Sequence, residues 1–151
     1  MASELKVNTL TGVSTAGSIA VTAEGNSTTT NLQQGLIKYW VNYNHLGDAV
    51  RDSFNSASKT DHATGDFSIG MTNAMSSSNY STTFNSTAAL ANSRGGSFLG
   101  HKITSYGTCD AQDLITSSTM RMCSNFGSSS SADGNDMDFS YACIQVSGDL
   151  A

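Results

Sequence analysis

Residues 36–44 read Leu-Ile-Lys-Tyr-Trp-Val-Asn-Tyr-Asn, and residues 67–71 read Phe-Ser-Ile-Gly-Met. Large apolar side chains occupy every second position of both segments, namely Ile37, Tyr39, Val41 and Tyr43 in the first and Phe67, Ile69 and Met71 in the second. A period of two places them on one face of a pleated strand, where aromatic and β-branched residues pack well. The block 36–75 therefore predicts the core of an all-β domain.

Two segments carry large side chains on both faces. Trp40 points away from the face that holds Tyr39 and Val41, and in 138–146 the residues Phe139, Tyr141 and Cys143 share one face while Ala142, Ile144 and Val146 share the other. Such strands are buried on both sides, so we expect one face to fill a sandwich core and the other a subunit interface. The candidate core or interface residues are Ile37, Tyr39, Trp40, Val41, Phe67, Phe139, Tyr141 and Ile144.

The composition favours short strands joined by polar turns. Charged residues are 13% of the 151 residues, and proline is absent, whereas a typical domain has about 25% charged residues. Ser, Thr, Asn and Gly take their place, which favours turns between strands. We therefore predict an all-β sandwich of seven or eight antiparallel strands at 36–151, preceded by a small β arm at 1–35.

The arm has few large side chains. Residues 5–10 and 18–23 are predicted strands, and 25–31 is a polar link. Two short strands cannot form a core alone, so the arm must pack on its own domain, on a symmetry mate or on a larger partner. The candidate anchoring residues are Leu5, Val7, Leu10, Ile19 and Val21.

Two long polar segments interrupt the predicted strands of the domain. They span 85–97 and 125–137, and the second contains four consecutive serines. We expect both to be exposed tips, where binding functions concentrate. The candidate tip residues are Arg94, Asn125, Asp133 and Asn135.

The charge balance argues against nucleic acid as a partner. Seven Lys and Arg face twelve Asp and Glu, for a net charge of -5, and no basic stripe occurs. The apolar runs are shorter than the ~20 residues that a membrane span requires. Residues 1–6 lack the basic and apolar regions of a secretory signal, so we expect assembly in a cytoplasm.

No motif of a nucleophile elbow, zinc protease, P-loop or dinucleotide site occurs. We expect no catalytic, metal or cofactor site. His45 and His62 lie in predicted turns and are expected to be solvated. Cys109, Cys123 and Cys143 are widely spaced without a Cys-x-x-Cys motif, so we expect neither a disulfide framework nor a zinc site and interpret them as small buried apolar residues. A single Cys109–Cys123 bridge stays open.

A set of short motifs resembles one group of phage proteins. The motifs are Leu-Lys-Val-Asn-Thr-Leu-Thr-Gly at 5–12, Gln-Gln-Gly-Leu-Ile-Lys at 33–38, Trp-Val-Asn at 40–42, Arg-Asp-Ser-Phe-Asn at 51–55, Thr-Gly-Asp-Phe at 64–67, Asn-Tyr-Ser with Phe84 at 79–84, and Gly-Asp-Leu-Ala at 148–151. Together they resemble small virion proteins of tailed bacteriophages, especially marine ones, which are described as tail-fibre-like or structural. The chain departs from that pattern at Tyr39 and at His62-Ala63, and neither departure changes the expected fold.

The resemblance implies a β-rich virion component, often a homotrimer, and carries over no catalytic or receptor-binding residue. We therefore expect a non-enzymatic virion protein, a trimeric fibre or knob with closed cyclic symmetry, assembled in the host bacterial cytoplasm. Its arm would join other virion proteins. A host-surface glycan or protein is a candidate partner, without nucleic acid or membrane insertion.

Two alternatives stay open. A capsid decoration or head-fibre protein needs the same fold, so the sequence does not separate a capsid from a tail location. A carbohydrate-binding module or glycan hydrolase is the other alternative. A hydrolase needs two carboxylates in one cleft, and Asp48, Asp52, Asp61 and Asp66 have no partner glutamate outside the arm.

Overall fold

The computed structural model describes residues 4–12, 19–22, 29–87, 97–101, 114–128 and 131–151. These residues are nearly all β, which confirms the predicted class. Their contacts divide the chain into two compact units, Met1–Leu36 and Ile37–Ala151. The helix α1 is Leu32–Gly35, and the strands are β1 Ala20–Thr22, β2 Thr29–Asn31, β3 Ile37–Asn44, β4 Ala49–Phe54, β5 Ser56–Ala63, β6 Asp66–Met71, β7 Ser81–Thr87, β8 Ser97–His101, β9 Thr119–Ser128, β10 Ser131–Asp136 and β11 Tyr141–Ser147.

The first unit pairs β1 with β2 in an antiparallel hairpin. Asn31 then caps the N-terminus of α1, because its side-chain oxygen accepts hydrogen bonds from the backbone N–H groups of Gln33 at 2.8 Å and Gln34 at 3.2 Å. The strand predicted at 5–10 is wrong, since residues 4–12 contain no strand. An alternating segment becomes a strand only where a neighbour pairs with its backbone.

The described residues of the second unit form two antiparallel sheets that pack as a β-sandwich. One sheet has the order β4-β3-β11-β7. In the other, β5 pairs with β6, and β6, β8 and β10 all pair with β9. The nine strands exceed the seven or eight expected, because β5 extends to Ala63 through a predicted turn and β10 forms in a predicted loop.

The long strand β9 corrects the expectation of a tip loop at 125–137. Its residues 119–123 pair with β6 and its residues 125–128 with β10, while β8 pairs along 122–126. Asn125 therefore lies in β9, and Asp133 and Asn135 lie in β10. Polar Ser, Asn and Gly sequence extends a sheet when its backbone groups find partners. Arg94 lies outside the described residues.

The core lies between the two sheets. Its buried residues are Tyr39, Val41 and Tyr43 of β3, Phe67, Ile69 and Met71 of β6, Met120 and Met122 of β9, Ala142, Ile144 and Val146 of β11, and Met75. The alternation predicted for β3 and β6 is confirmed for all these positions except Ile37, whose side chain is 45% exposed. Lys38 forms a bulge in β3, because Tyr39 pairs with Val146 while Ile37 pairs with the next residue, Ser147. This extra residue moves Ile37 to the outer face.

Phe139 also departs from the sequence pattern. It precedes β11, which begins at Tyr141, and its side chain is fully buried. Its backbone carbonyl accepts hydrogen bonds from the N–H groups of His45 at 2.9 Å and Leu46 at 3.2 Å. Phe139 therefore packs inside the unit and does not share the outer face of Tyr141.

Asn55 carries the chain from one sheet to the other. It separates β4 from β5 and has a φ of 61°, a conformation that asparagine tolerates better than most residues. Its side-chain NH2 group donates to the carbonyls of Lys38 at 2.9 Å and Asn73 at 3.0 Å, and its oxygen accepts from the Asn73 N–H at 2.7 Å. One side chain thus fixes the corner between the two layers.

We predict that Asn55→Ala lowers the free energy of unfolding by about 2–4 kcal/mol, because three hydrogen bonds are lost and alanine is strained at positive φ. Asn55→Gly removes the same bonds without the strain and should cost about 1 kcal/mol less. Urea denaturation followed by circular dichroism measures both. Asn79→Ala, an exposed asparagine, is the control. Equal stability of all four proteins would contradict the corner role.

Candidate functional site

The outer face of the four-stranded sheet carries a row of side chains that crosses all four strands. Trp40 of β3 pairs with Phe54 of β4 on one side and with Gln145 of β11 on the other, and Gln145 pairs in turn with Thr83 of β7. Strands lie about 4.8 Å apart, so the row is roughly 14 Å long. We call these four residues the Trp40 row.

A second row runs beside the first. It consists of Asp52, Asn42, Cys143 and Asn85, in strand order. Trp40 therefore has two amides, Asn42 and Gln145, and two apolar residues, Phe54 and Ile37, at its neighbouring outward positions. The face combines an apolar patch with polar side chains.

Arg51 supports one end of this face. A bulge gives β4 one residue more than β3 between the pairs Asn42–Asp52 and Tyr43–Val50, and Arg51 is that residue. Its guanidinium lies 4.0 Å from the centre of the Tyr141 ring and donates to the Asn42 side-chain oxygen at 3.3 Å and to the Ser140 carbonyl. Cation–π contact and hydrogen bonds therefore hold Arg51 against the sheet.

The outer face of this sheet, which the sequence predicts as a subunit interface, is partly exposed in the single chain. Trp40 is half-buried, Phe54 is 53% exposed and Tyr141 is 46% exposed. Of the other candidate residues, Tyr39, Val41, Phe67, Phe139 and Ile144 lie in the interior. The structure therefore brings Ile37, Trp40 and Tyr141 to the outer surface of this sheet and places the other five candidate residues in the interior.

The arm residues form a separate exposed group within the first unit. Leu5 is 81% exposed, Leu10 56%, Val7 55% and Val21 51%, and Ile19 is half-buried. Among the described residues of this unit, none is buried. The apolar side chains described in this unit therefore lie in no buried core.

A buried polar cluster surrounds His45, which the sequence placed in a solvated turn. The side chain is 1% exposed, and its ring stacks on Tyr43 at 5.5 Å and packs against Phe67 at 4.7 Å between centroids. Its Nε2 atom lies 3.2 Å from a carboxylate oxygen of Asp138 and 3.4 Å from one of Asp61. The expectation was wrong because tertiary packing of the two sheets covers this turn. His62, by contrast, is exposed as predicted.

The cluster joins three segments of the chain. Asp138 also accepts the Gly65 N–H at 2.7 Å, and the Ser124 N–H donates to the Gly65 carbonyl at 2.8 Å. Gly65 has a φ of 70°, and a Cβ there would approach the Ser124 carbonyl to 2.4 Å. Only glycine fits this turn, which brings Asp138 and Ser124 to the histidine.

Ser124, His45 and Asp138 have the residue types of a catalytic triad, but the serine hydroxyl is buried and bonded elsewhere. The Ser124 hydroxyl donates to the Met137 carbonyl at 2.7 Å and lies 3.5 Å from His45 Nδ1. Ser124 is fully buried, whereas a nucleophile must be accessible to substrate. The cluster is therefore a structural junction.

Asp48 forms a further contact at the same end of the domain. Its carboxylate accepts the Tyr43 hydroxyl at 2.7 Å and pairs with the Lys59 ammonium. The hydrogen bonds from Lys59 and Tyr43 hold the pKa of Asp48 below its ordinary value of 3.8. Burial, followed by the Asp48 carboxylate, raises the pKa of Tyr43 above its ordinary value of 10.0.

The four aspartates considered for a hydrolase serve different contacts. Asp48 pairs with Lys59, Asp61 approaches His45, and Asp66 receives two 2.8 Å hydrogen bonds from the guanidinium of Arg121. Asp52 lies on the outer face. Within the described part of the chain, no cluster of three or more His, Cys, Asp or Glu residues is arranged to hold a metal ion. No helix in that part has the length and apolar character to cross a membrane.

We predict that His45→Ala lowers the free energy of unfolding by about 2–4 kcal/mol, because a buried ring is lost together with its contacts to Asp138 and Asp61. His62→Ala, at an exposed position, should change it by less than about 0.5 kcal/mol. Chemical denaturation of both variants measures the difference. A His45→Ala protein as stable as His62→Ala would refute the junction.

We predict that Asp48→Asn flattens the acid limb of the stability curve. The folded-state pKa of Asp48 lies below 3.8, so its contribution is complete above that pH and is lost as the pH falls through the lower folded-state pKa. Urea midpoints at stepped pH, from about pH 6 to about pH 2, should converge for the two proteins at the acid end. Asp52→Asn is the charge-matched control and should follow the unmodified protein.

Comparison with protein-family models, with curated proteins and with solved structures finds no match to this chain. Its function is therefore inferred from its own residues.

Proposed function

We propose that this chain is a non-enzymatic structural protein of a phage virion. It forms a trimeric surface appendage in which residues 1–35 join the copies and attach them to other virion proteins, while the sandwich is presented outward. The observation that carries the proposal is the exposed apolar arm. Leu5, Val7, Leu10 and Val21 are each more than half exposed in the single chain.

The arm needs an outside surface for physical reasons. β1 and β2 have three residues each, and an isolated two-stranded hairpin is marginally stable at best in water. Each of these strands also has one edge that pairs with no other described strand, and such an edge can pair with another chain. Association of several copies would bury the four exposed side chains and pair these edges, and closed cyclic symmetry is the usual arrangement for identical chains.

The sandwich supports the outward role. Its interior is filled by side chains of its own strands, so it needs no partner to complete a core. The exposed positions of its strand β7 are all polar, namely Ser81, Thr83, Asn85 and Thr87. A domain of this kind suits a solvent-exposed appendage.

A capsid decoration or head-fibre protein would use the same parts. Labelling of purified particles with an antibody against the sandwich, followed by electron microscopy, distinguishes a tail from a head location. A carbohydrate-binding module is the second candidate function, and the Trp40 row is the observation that favours it.

We predict that replacing the arm residues Leu5, Val7, Leu10 and Val21 by Ser in the full chain converts a trimer to a monomer. Sedimentation equilibrium at micromolar concentration measures the mass, and incorporation into particles measures attachment. The apolar side chains are lost without changing the sandwich core, so the thermal unfolding midpoint should stay within a few degrees of the unmodified value.

The matched control replaces Leu46 and Leu150, which are exposed on the sandwich at 60% and 42%, by Ser. This variant should remain trimeric and should be incorporated. A monomeric unmodified chain would refute the trimer, and normal incorporation of the arm variant would refute anchoring by the arm.

A further inference from the structure

We propose that the outer face of the four-stranded sheet binds a neutral glycan, with Trp40 as the stacking platform and Gln145, Asn42 and Thr83 as hydrogen-bonding groups. The inference rests on the proposed function, in which the sandwich is the part presented to solvent. It names the surface and the chemical class of partner.

The aromatic pair provides the stacking surface. Trp40 and Phe54 are directly opposite each other in the β3–β4 register, so their Cβ atoms lie about 5 Å apart. The face of an aromatic ring carries a negative quadrupole, which attracts the positively polarised C–H groups on the face of a sugar ring. Trp40 is half-buried, so the sheet holds it in place while part of it remains accessible.

The polar neighbours match sugar hydroxyls. Gln145 is adjacent to Trp40 in the row, Thr83 is adjacent to Gln145, and Asn42 lies two residues along β3 on the same face. Amides and hydroxyls each donate and accept hydrogen bonds, as sugar hydroxyls do. A ligand that crosses the roughly 14 Å row can therefore stack at one end and form hydrogen bonds at the other.

The charges on this face favour a neutral ligand. The Trp40 row contains no ionisable side chain. In the adjacent row Asp52 adds a negative charge, and the Arg51 guanidinium is already engaged with Tyr141, Asn42 and Ser140. The chain also has a net charge of -5. An anionic polysaccharide would be repelled, whereas an uncharged one pays no electrostatic penalty.

A second copy of the chain fits this face less well. The buried centre of a homodimer interface is predominantly apolar, and here the apolar residues Trp40, Phe54 and Ile37 share the outer face with Gln145, Thr83 and Asn85. A flat protein surface would desolvate these groups without pairing all of them, which is unfavourable. Sugar hydroxyls can satisfy them one by one.

Trp40 is the sole tryptophan, so its fluorescence reports directly on the face. We expect the emission of the full chain to shift when it is titrated with at least one of five neutral glycans: dextran, mannan, galactan, laminarin and cello-oligosaccharides. Alginate, an anionic polymer, should cause no shift. Affinity electrophoresis in gels that contain the same polymers should show retardation by the glycan that shifts the emission.

Trp40→Ala should abolish retardation, and Gln145→Ala, which alters an exposed side chain and leaves the core unchanged, should weaken binding about tenfold, as expected for loss of one good contact. Leu46→Ala, an exposed apolar residue outside the face, is the matched control and should bind normally. Circular dichroism of each variant confirms that it is folded.

Absence of a shift and of retardation with all five neutral glycans would overturn the inference. Retardation that survives both Trp40→Ala and Gln145→Ala would overturn it as well. If Trp40→Ala instead lowers the sedimentation mass while no glycan binds, the face is a contact between copies. The arm variant tests the proposed function independently, because it leaves the Trp40 row unchanged.

Discussion

The packing of β3 against β6 across the interior is the contact on which the rest of this structure depends. Tyr43 lies 5.0 Å from Phe67 between ring centroids, and Tyr39, Val41 and Ile69 fill the adjoining interior. Burial of each large apolar side chain contributes about 1.5–3 kcal/mol relative to exposure. Because β3 and β6 are internal strands of different sheets, their contact fixes the two layers as a sandwich.

Polar contacts then decide how the layers are joined at their ends. Asn55 fixes the passage from β4 to β5, and the His45 cluster ties the end of β3 to β5 and to the segment before β11. Asn55 is half-buried and His45 is buried, so each needs a partner in the fold. The sandwich thus has an apolar middle and polar junctions, and the junctions account for side chains that resemble a catalytic site.

The outer face follows from the same alternation that builds the core. Once Tyr39, Val41 and Tyr43 point inward, Trp40 and Asn42 must point outward, and register with β4, β11 and β7 then aligns them with Phe54, Gln145 and Thr83. The packing of the core therefore also determines which side chains form the glycan surface that we propose, and this surface requires no cavity or metal. The arm, with its exposed apolar residues, would supply the other half of an adhesive appendage by holding copies together.

Period-two alternation in the sequence determined the all-β class, the inward residues of β3 and β6, and the outward direction of Trp40, because these depend on local backbone geometry. The alternation failed where one extra residue shifts the register. The bulges at Lys38 and Arg51 cannot be predicted from the pattern of apolar positions. The first bulge moves Ile37 outward, and the second places Arg51 over Tyr141. Burial of His45 was decided by tertiary structure alone, because Asp61 and Asp138 are distant in sequence and a polar side chain is buried only where such groups satisfy its hydrogen bonds. The polar segment of β10 becomes a strand because its backbone pairs with the adjacent β9, which the tertiary structure holds in a sheet with β6 and β8.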